Sequence, residues 1–337
     1  MTLPKISIVV IGYNESENLH KTFMAIKEIR YPQKNIELIY VDSGSTDNSV
    51  EIANEYTQNI FIEDKFPSPG RNRNRGLVEA SHAIVHFIDG DVVIDKNYLY
   101  TIAPLFEEKS VHAIVGQLDE QNPNLYNKIA ALSNVRKNEG YAKFTSTGAT
   151  YIKSSLIAVN GYDERIRRGQ ESELGERFLK AGFKIWCTSQ SMGSHNFGIS
   201  KLSDYAKRYE TDARTQFQLS LIEGNSTFFK QARKQIIKGF VKLAVFCLTV
   251  YLSLLYNFIW LFIGYLIVAC LLRNKAYFKR YFMESPLLVI YRAIIDFFMI
   301  IFWWYGLFAE IYNFLIKKKH REFYALKKQV LNAKAFI

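Results

Sequence analysis

The chain has 337 residues, of which 49% are hydrophobic and 15% aromatic, and 43 Lys/Arg against 32 Asp/Glu give a formal net charge of +11. The excess is uneven: residues 1–224 hold 26 basic and 28 acidic side chains, whereas residues 225–337 hold 17 and 4. This argues against a nucleic-acid-binding face, because the basic residues lie among long apolar runs, as in a segment beside an anionic membrane leaflet.

Cys187, Cys247 and Cys270 are far apart and form no C-x-x-C pair, so a reducing compartment is expected. The apolar run at residues 6–11 is too short for a secretory h-region, and the N-terminal part is expected to stay in the cytoplasm.

The first ninety residues alternate strand and helix. Residues 6–11 read as a buried strand ending at Gly12. Ser16 can cap a helix in which Leu19, Phe23, Ile26 and Ile29 recur at helical spacing. Residues 36–41 form a second strand, 42–45 a loop, 46–56 a helix and 60–62 a third strand. A loop with Pro67, Pro69 and Gly70 leads to a helix over 72–80. Residues 83–88 form a fourth strand, which ends at Asp89-Gly90-Asp91. Strands joined by single helices imply a mostly parallel, Rossmann-like α/β sheet flanked by helices. Such sheets bind ligands beyond the carboxyl ends of their strands. Residues 12–15, 42–47 and 89–91 therefore share one rim.

Residues 116–145 read as polar and irregular, with a helix over 125–138. A strand follows at 149–152, then a turn at Gly161, a helix over 171–180 closed by Gly182, and a strand at 183–187 with His195 in the loop after it. The soluble domain is expected to span 1–224, with a membrane-associated helical region and basic tail over 225–337.

Asp89-x-Asp91 is the sharpest chemical signal. Two carboxylates at a strand end can share a Mn²⁺ or Mg²⁺ ion, and such cations bridge protein oxygens to phosphates. A D-x-D alone is as readily a polar turn, and it gains weight here from its place on the rim. Asp42, in Val41-Asp42-Ser43-Gly44-Ser45-Thr46-Asp47, also lies on the rim, where a carboxylate can accept from a base N–H; the same loop also serves as a helix cap.

Four runs occur in a specific order over about 85 residues: Ser7 to Glu15, Val41 to Asp47, Arg73-Asn74-Arg75-Gly76, and Phe87-Ile88-Asp89-Gly90-Asp91. Together with Thr147-Gly148-Ala149, Gly161-Tyr162-Asp163-Glu164 and Gly169-Gln170-Glu171-Ser172-Glu173-Leu174, they resemble the family 2 inverting glycosyltransferases over roughly residues 5–200. The resemblance implies a GT-A fold, a nucleotide-diphosphate sugar donor and a metal. By position, Tyr13 and Glu15 line the base and ribose pocket and Asp42 reads the base, which favours uracil and a UDP-sugar. Arg73 faces the phosphates, Asp89 the ribose or metal, and Asp91 binds the metal, with His195 a further candidate ligand. Arg167 and Arg168 could contact phosphate. The general base falls on Glu171, with Glu173 as fallback. The chain departs from the family pattern here, with Gln170 where a glutamate is usual and Glu171 where an aspartate is. A longer carboxylate still suffices for proton abstraction within hydrogen-bond reach, and a helix N-terminus favours its ionised form.

Residues 240–272 are almost wholly apolar, as is a second stretch over 286–316. The first is long for one upright span and short for two, which allows a hairpin kinked near Tyr256-Asn257 or a tilted helix. In the second, Arg292, Asp296, Trp303, Gly306, Glu310 and Asn313 share a helical face. That face either lies at the interface or turns inward with Arg292 paired to Asp296. Basic clusters at 230–242, 273–280 and 317–321 favour the cytoplasmic side and hence a hairpin plus an interfacial helix. The membrane is thus expected to be contacted by residues about 236–316. The resulting expectation is an inverting hexosyltransferase at the cell membrane, its catalytic domain cytoplasmic, with a lipid-linked or membrane-delivered acceptor in cell-surface polysaccharide or glycolipid synthesis. The alternatives are a degenerate, non-catalytic membrane protein and a nucleotidyltransferase, which would want a Gly-rich basic loop that Gly12-Tyr13-Asn14-Glu15 lacks.

Overall fold

Strand β1 (Ile6–Gly12) is buried along its whole length because it sits mid-sheet with both faces covered, which is why it reads as a continuous apolar run. The computed structural model describes residues 3–63, 68–131, 139–196, 198–222, 227–256, 259–260, 263–264, 268 and 286–317. β1 pairs in parallel with β2 (Ile36–Asp42) and β4 (Ile84–Asp89), and β2 pairs in parallel with β3 (Ile60–Ile62). Gly12 stands opposite Asp42, and Ile11 opposite Asp89. The three strands therefore end in register, and the loops that follow them share the expected rim.

Helices α1 (Ser16–Lys27), α2 (Ser49–Asn54) and α3 (Pro69–Glu79) supply the crossovers. Ile6, Ile8 and Val10 pack with Leu19 and Phe23 on one side of the sheet, while Val9, Ile11 and Val41 pack with Leu77 on the other. Helix α3 lies so close to β1 that a Cβ on Gly76 would stand 2.2 Å from a Val9 methyl.

Beyond β4 the sheet becomes mixed. Strand β5 (Val92–Ile94), helices α4 (Tyr98–Ile102) and α5 (Leu105–Glu108), strand β6 (Ala113–Glu120) and helix α6 (Leu125–Ala131) come next. They are followed by β7 (Gly140–Ala142), β8 (Thr150–Ile152), α7 (Lys153–Ala158), α8 (Gln170–Lys180) and β9 (Ile185–His195). The strand order is β3-β2-β1-β4-β8-β6-β9-β5, with β7 alongside β9. β8 runs antiparallel to β4 and β6, and β9 antiparallel to β5 and β7, while β6 and β9 are parallel.

Two expectations are corrected here. Residues 116–145 are not wholly irregular, since β6 occupies 113–120 and β7 140–142. His195 is not in a loop but is the last residue of β9. In both β6 and β9 the second half is polar and only half-buried, and the two pair with each other through register shifts, so neither shows an apolar period. Of the helix expected over 125–138, residues 125–131 are helical, and 132–138 lie outside the described residues.

The chain forms two compact units, the first holding the described residues that fall within 3–122 and 139–196, the second those within 123–131 and 198–317. The second unit thus begins ahead of the boundary expected at 224, because α9 (Leu202–Leu221) belongs with α10 (Thr227–Leu255) and α11 (Pro286–Leu315). α10 and α11 are each long and apolar enough to cross a membrane. The polar stripe of α11 faces α9. Arg292 Nε lies 3.2 Å from Asp296 Oδ2, and Tyr205 and Tyr209 donate to Asp296 Oδ1 at 3.1 and 2.5 Å. The Arg292 guanidinium also donates to the Ile129 carbonyl. Glu310 accepts from Gln218 at 2.8 Å and Arg214 at 3.3 Å. A Cβ on Gly306 would meet the Glu210 carbonyl oxygen at 2.3 Å. Of the two readings of this stripe, the inward-facing one with Arg292 paired to Asp296 is the one observed. The possible kink at Asn257 and the basic clusters 273–280 and 318–321 lie outside the described residues.

Candidate active site

The rim loops are stitched together before they form a pocket. Asn14 adopts φ 54°, in the left-handed region, and its side chain accepts from Thr46 N at 2.8 Å while its own N–H donates to Ser45 Oγ at 2.9 Å. Ser16 N donates to Asp47 and Glu15 N to Ser49. This lattice fixes the loop after β1 against the loop after β2 and leaves the Tyr13 ring 54% exposed.

A cavity of about 320 Å³ opens beside this rim, lined among others by Tyr13, Glu15, Arg73, Asp89, Asp91 and Glu171. Six of the sequence-predicted residues are thus brought together, and Arg167 and Arg168 line the same cavity. Arg73 organises one wall. Its guanidinium is 3% exposed and stands 2.7 Å from Asp89, 2.8 Å from the Gln170 side-chain oxygen and 3.4 Å from Glu171. The departure at Gln170 therefore has a structural role, since a neutral amide accepts from Arg73 where a glutamate would add a further negative charge. Glu171 stands in the first turn of α8. Its carboxylate is 3.4 Å from Thr147 Oγ1, and its carbonyl accepts from Thr145 Oγ1 at 2.6 Å.

Three predicted residues are not on the wall. Asp42 is fully buried, and its carboxylate accepts from Tyr40 Oη at 2.8 Å and from Ser45 N and Oγ at 2.6 and 2.7 Å. Its neighbour Ser43 reaches the cavity instead, held by Asn72 at 2.6 Å. His195 stands behind the wall, with Nε2 2.8 Å from Asp91 Oδ2; the antiparallel pairing of Val92 with His195 creates this contact. Glu173, the fallback base, is buried and doubly paired to Arg177 at 2.7 and 2.6 Å.

Negative charge is in surplus around Asp91. Burial, then the charge of Asp91, pushes the Glu15 carboxyl above its ordinary value. Burial raises Asp89 as well, against the opposing pull of Arg73, and Asp91 and Glu171 add to the rise. Burial works against a charged His195, yet its hydrogen bond to Asp91 and the Asp91 charge prevail and raise it. Among the described residues no three His, Cys, Asp or Glu side chains form a ready metal cage. Mg²⁺ and Mn²⁺ hold few protein ligands and complete their shells with water and substrate phosphates. A carboxylate with an adjacent imidazole in a carboxylate-rich pocket is a donor set that fits such an ion.

Several contacts had no sequence signal of their own. Asn74 pairs with the Tyr162 backbone in both directions, at 2.9 and 2.8 Å, and also reaches Glu164 at 2.9 Å. The Arg73-to-Gly76 and Gly161-to-Glu164 runs are thus two halves of one clasp that sets Arg73 in place.

Residues 7–155 match the domain described as glycosyl transferase family 2. Over that stretch the chain is similar to the family 2 glycosyl transferases. Among curated relatives, the chain is 25% identical over 205 residues to glycosyltransferase AglE of Haloferax volcanii, covering 58% of this chain and 67% of that one. It is 26% identical over 230 residues to the O-antigen chain rhamnosyltransferase WbaN of Salmonella anatum, covering 62% and 71%. It is 32% identical over 138 residues to a poly-beta-1,6-N-acetyl-D-glucosamine synthase of Staphylococcus epidermidis, covering 39% of this chain and 31% of that one. The mannosyltransferase PcManGT of Pyrobaculum calidifontis, solved in complex with GDP-Man and Mn²⁺, superposes with a TM-score of 0.59 at 15% identity, covering 95% of this chain and 89% of that one. That likeness is one of fold. The mixed sheet with flanking helices is the GT-A fold, followed by two apolar C-terminal helices.

Proposed function

We propose that this protein transfers a hexosyl group, with inversion, from a UDP-sugar to a lipid-linked or membrane-delivered acceptor in cell-surface polysaccharide or glycolipid synthesis. The observation that carries the reading is the convergence of Glu15, Asp89, Asp91 and Glu171 with Arg73 on one cavity beside the exposed Tyr13 ring. Tyr13 offers an aromatic face to the base and Glu15 a carboxylate to the ribose. Asp42 is assigned to reading the base, which requires both the Tyr40 and Ser45 hydroxyls that hold its buried carboxylate to turn away. Arg73, with Arg167 and Arg168, holds the phosphates.

Asp91 would hold the metal with His195, and Asp89 would serve it or the ribose; a Mn²⁺ or Mg²⁺ ion held there would supply positive charge to neutralise the diphosphate leaving group. Glu171 takes the proton of the acceptor hydroxyl as that oxygen bonds to the anomeric carbon and the bond to the diphosphate oxygen breaks. A single displacement of this kind inverts the centre. Arg73 and Thr147 hold the Glu171 carboxylate in position for the proton. The two apolar helices, and relatives named for O-antigen and poly-N-acetylglucosamine synthesis, support a membrane-borne acceptor; the catalytic unit is assigned to the cytoplasmic face because nucleotide-sugars are made there.

Calorimetric titration with UDP-, GDP- and dTDP-sugars, with and without Mn²⁺, tests this. A UDP-sugar is expected to bind, more tightly with Mn²⁺, and Asp91→Asn to remove the metal's contribution. Absence of binding by any nucleotide-sugar would overturn the reading.

A further inference from the structure

The second unit contains a cavity that the transfer reaction does not use. It has a volume of about 410 Å³ and lies between α9, α10 and α11. Its charged lining residues are Arg208, Lys238, Lys242 and Arg292, against Asp212 and Asp296. Arg292 and Asp296 are paired to each other, which leaves three cations facing one carboxylate. Arg208 and Lys238 make no ion pair or side-chain hydrogen bond among the described residues. Lys238 and Lys242 are one turn apart on α10 and share a face, and Gln235 and Gln216 add amide groups to the same cavity.

Position identifies the ligand class. The apolar part of α10 begins between these lysines. Val241 lies three residues beyond Lys238 and Val245 three beyond Lys242, so both continue the lysine face, and both are exposed. Trp303 lines the cavity and packs over Gly239, placing an amphipathic ring where a membrane–water interface favours one. A soluble anion would use the cations and leave the apolar face bare. A lipid uses both, with its phosphate among Arg208, Lys238 and Lys242 and its chains along Val241 and Val245. We infer that this cavity binds the phosphate-bearing headgroup of an anionic lipid. The inference rests on the membrane reading of α10 and α11.

The test is lipid retention by the full-length protein in detergent micelles, read by native mass spectrometry during titration with phosphatidylglycerol or phosphatidylcholine. Phosphatidylglycerol should be held at least about tenfold more tightly, equivalent to about 1.4 kcal/mol. Arg208→Gln with Lys238→Gln should abolish that preference. Lys230→Gln with Lys234→Gln removes the same charge from α10 outside the cavity and should keep it within about twofold, a bulk surface charge acting equally through either pair. Arg208→Lys with Lys238→Arg, which retains the charge and guards against misfolding, should keep it as well. Equal retention of the two lipids, or equal loss in both Gln pairs, would overturn the inference. Full displacement of phosphatidylglycerol by millimolar inorganic phosphate would also overturn it and assign the cavity to a soluble anion. Failure to retain either lipid would count against the membrane reading itself.

Discussion

At the scale of single residues, the site is organised by one buried cation. Arg73 touches Asp89, Gln170 and Glu171, so Asp89 and the proposed base are tied through a single guanidinium. The residue types were legible in the sequence because motif order placed them on one rim. What each carboxylate spends its oxygens on was not, because those partners come from distant segments. Asp42 faces Tyr40 and Ser45, and Glu173 faces Arg177. A second buried group makes a prediction of its own. His86 on β4 is fully buried, with Nδ1 2.8 Å from Thr150 Oγ1, and burial pushes its pKa down to about 3. The unfolded chain takes up this proton near pH 6.5 and the folded chain does not until about pH 3. Its contribution is therefore intact above pH 6.5 and is lost as pH falls through that window, by about 1.4 kcal/mol per unit. His86→Asn should flatten this slope. Between pH 7 and 5 the wild type should lose about 2 kcal/mol more than the variant in urea denaturation, and parallel curves would show that His86 titrates normally.

At the scale of elements, legibility follows coverage. Strands β1, β2 and β4 are covered on both faces and announce themselves as apolar runs, and their register places the rim. Strands β6 and β9 are polar through their second halves and find their stability in each other, so their extent and the place of His195 emerge only in the fold. Helix α3 shows why one glycine matters. Gly76 allows α3 to approach Val9, and the helix carries Arg73 into the site. Gly76→Ala should cost about 1–3 kcal/mol, as overpacking does. Val9→Ala should recover part of that loss in the double variant, a coupling measurable by denaturation of the four proteins of the cycle.

At the scale of the whole chain, charge asymmetry was a sound guide to where the apolar helices lie. The inward face of α11 needed the structure for a physical reason. A buried Arg292, Asp296 and Glu310 are tolerable only because α9 brings Tyr205, Tyr209, Arg214 and Gln218 to them, and nothing in α11 itself specifies those partners. Asp296→Leu removes the partner of Arg292 and of two tyrosine hydroxyls and should destabilise the second unit by about 3–5 kcal/mol. Tyr209→Phe, which deletes one hydrogen bond, should cost about 1 kcal/mol. The thermal midpoint of the detergent-solubilised chain reads both, and equal effects would contradict a central role for the Arg292–Asp296 pair.

Glu171 is the proposed base at a donor site built around Asp91 and Arg73. The most direct test is sugar transfer by Glu171→Gln, measured beside its affinity for the donor. Transfer should fall by about 10²–10⁴-fold, the usual worth of a positioned base, while donor binding stays within about threefold of the wild type. Transfer at the wild-type rate would contradict the account and remove Glu171 from the mechanism.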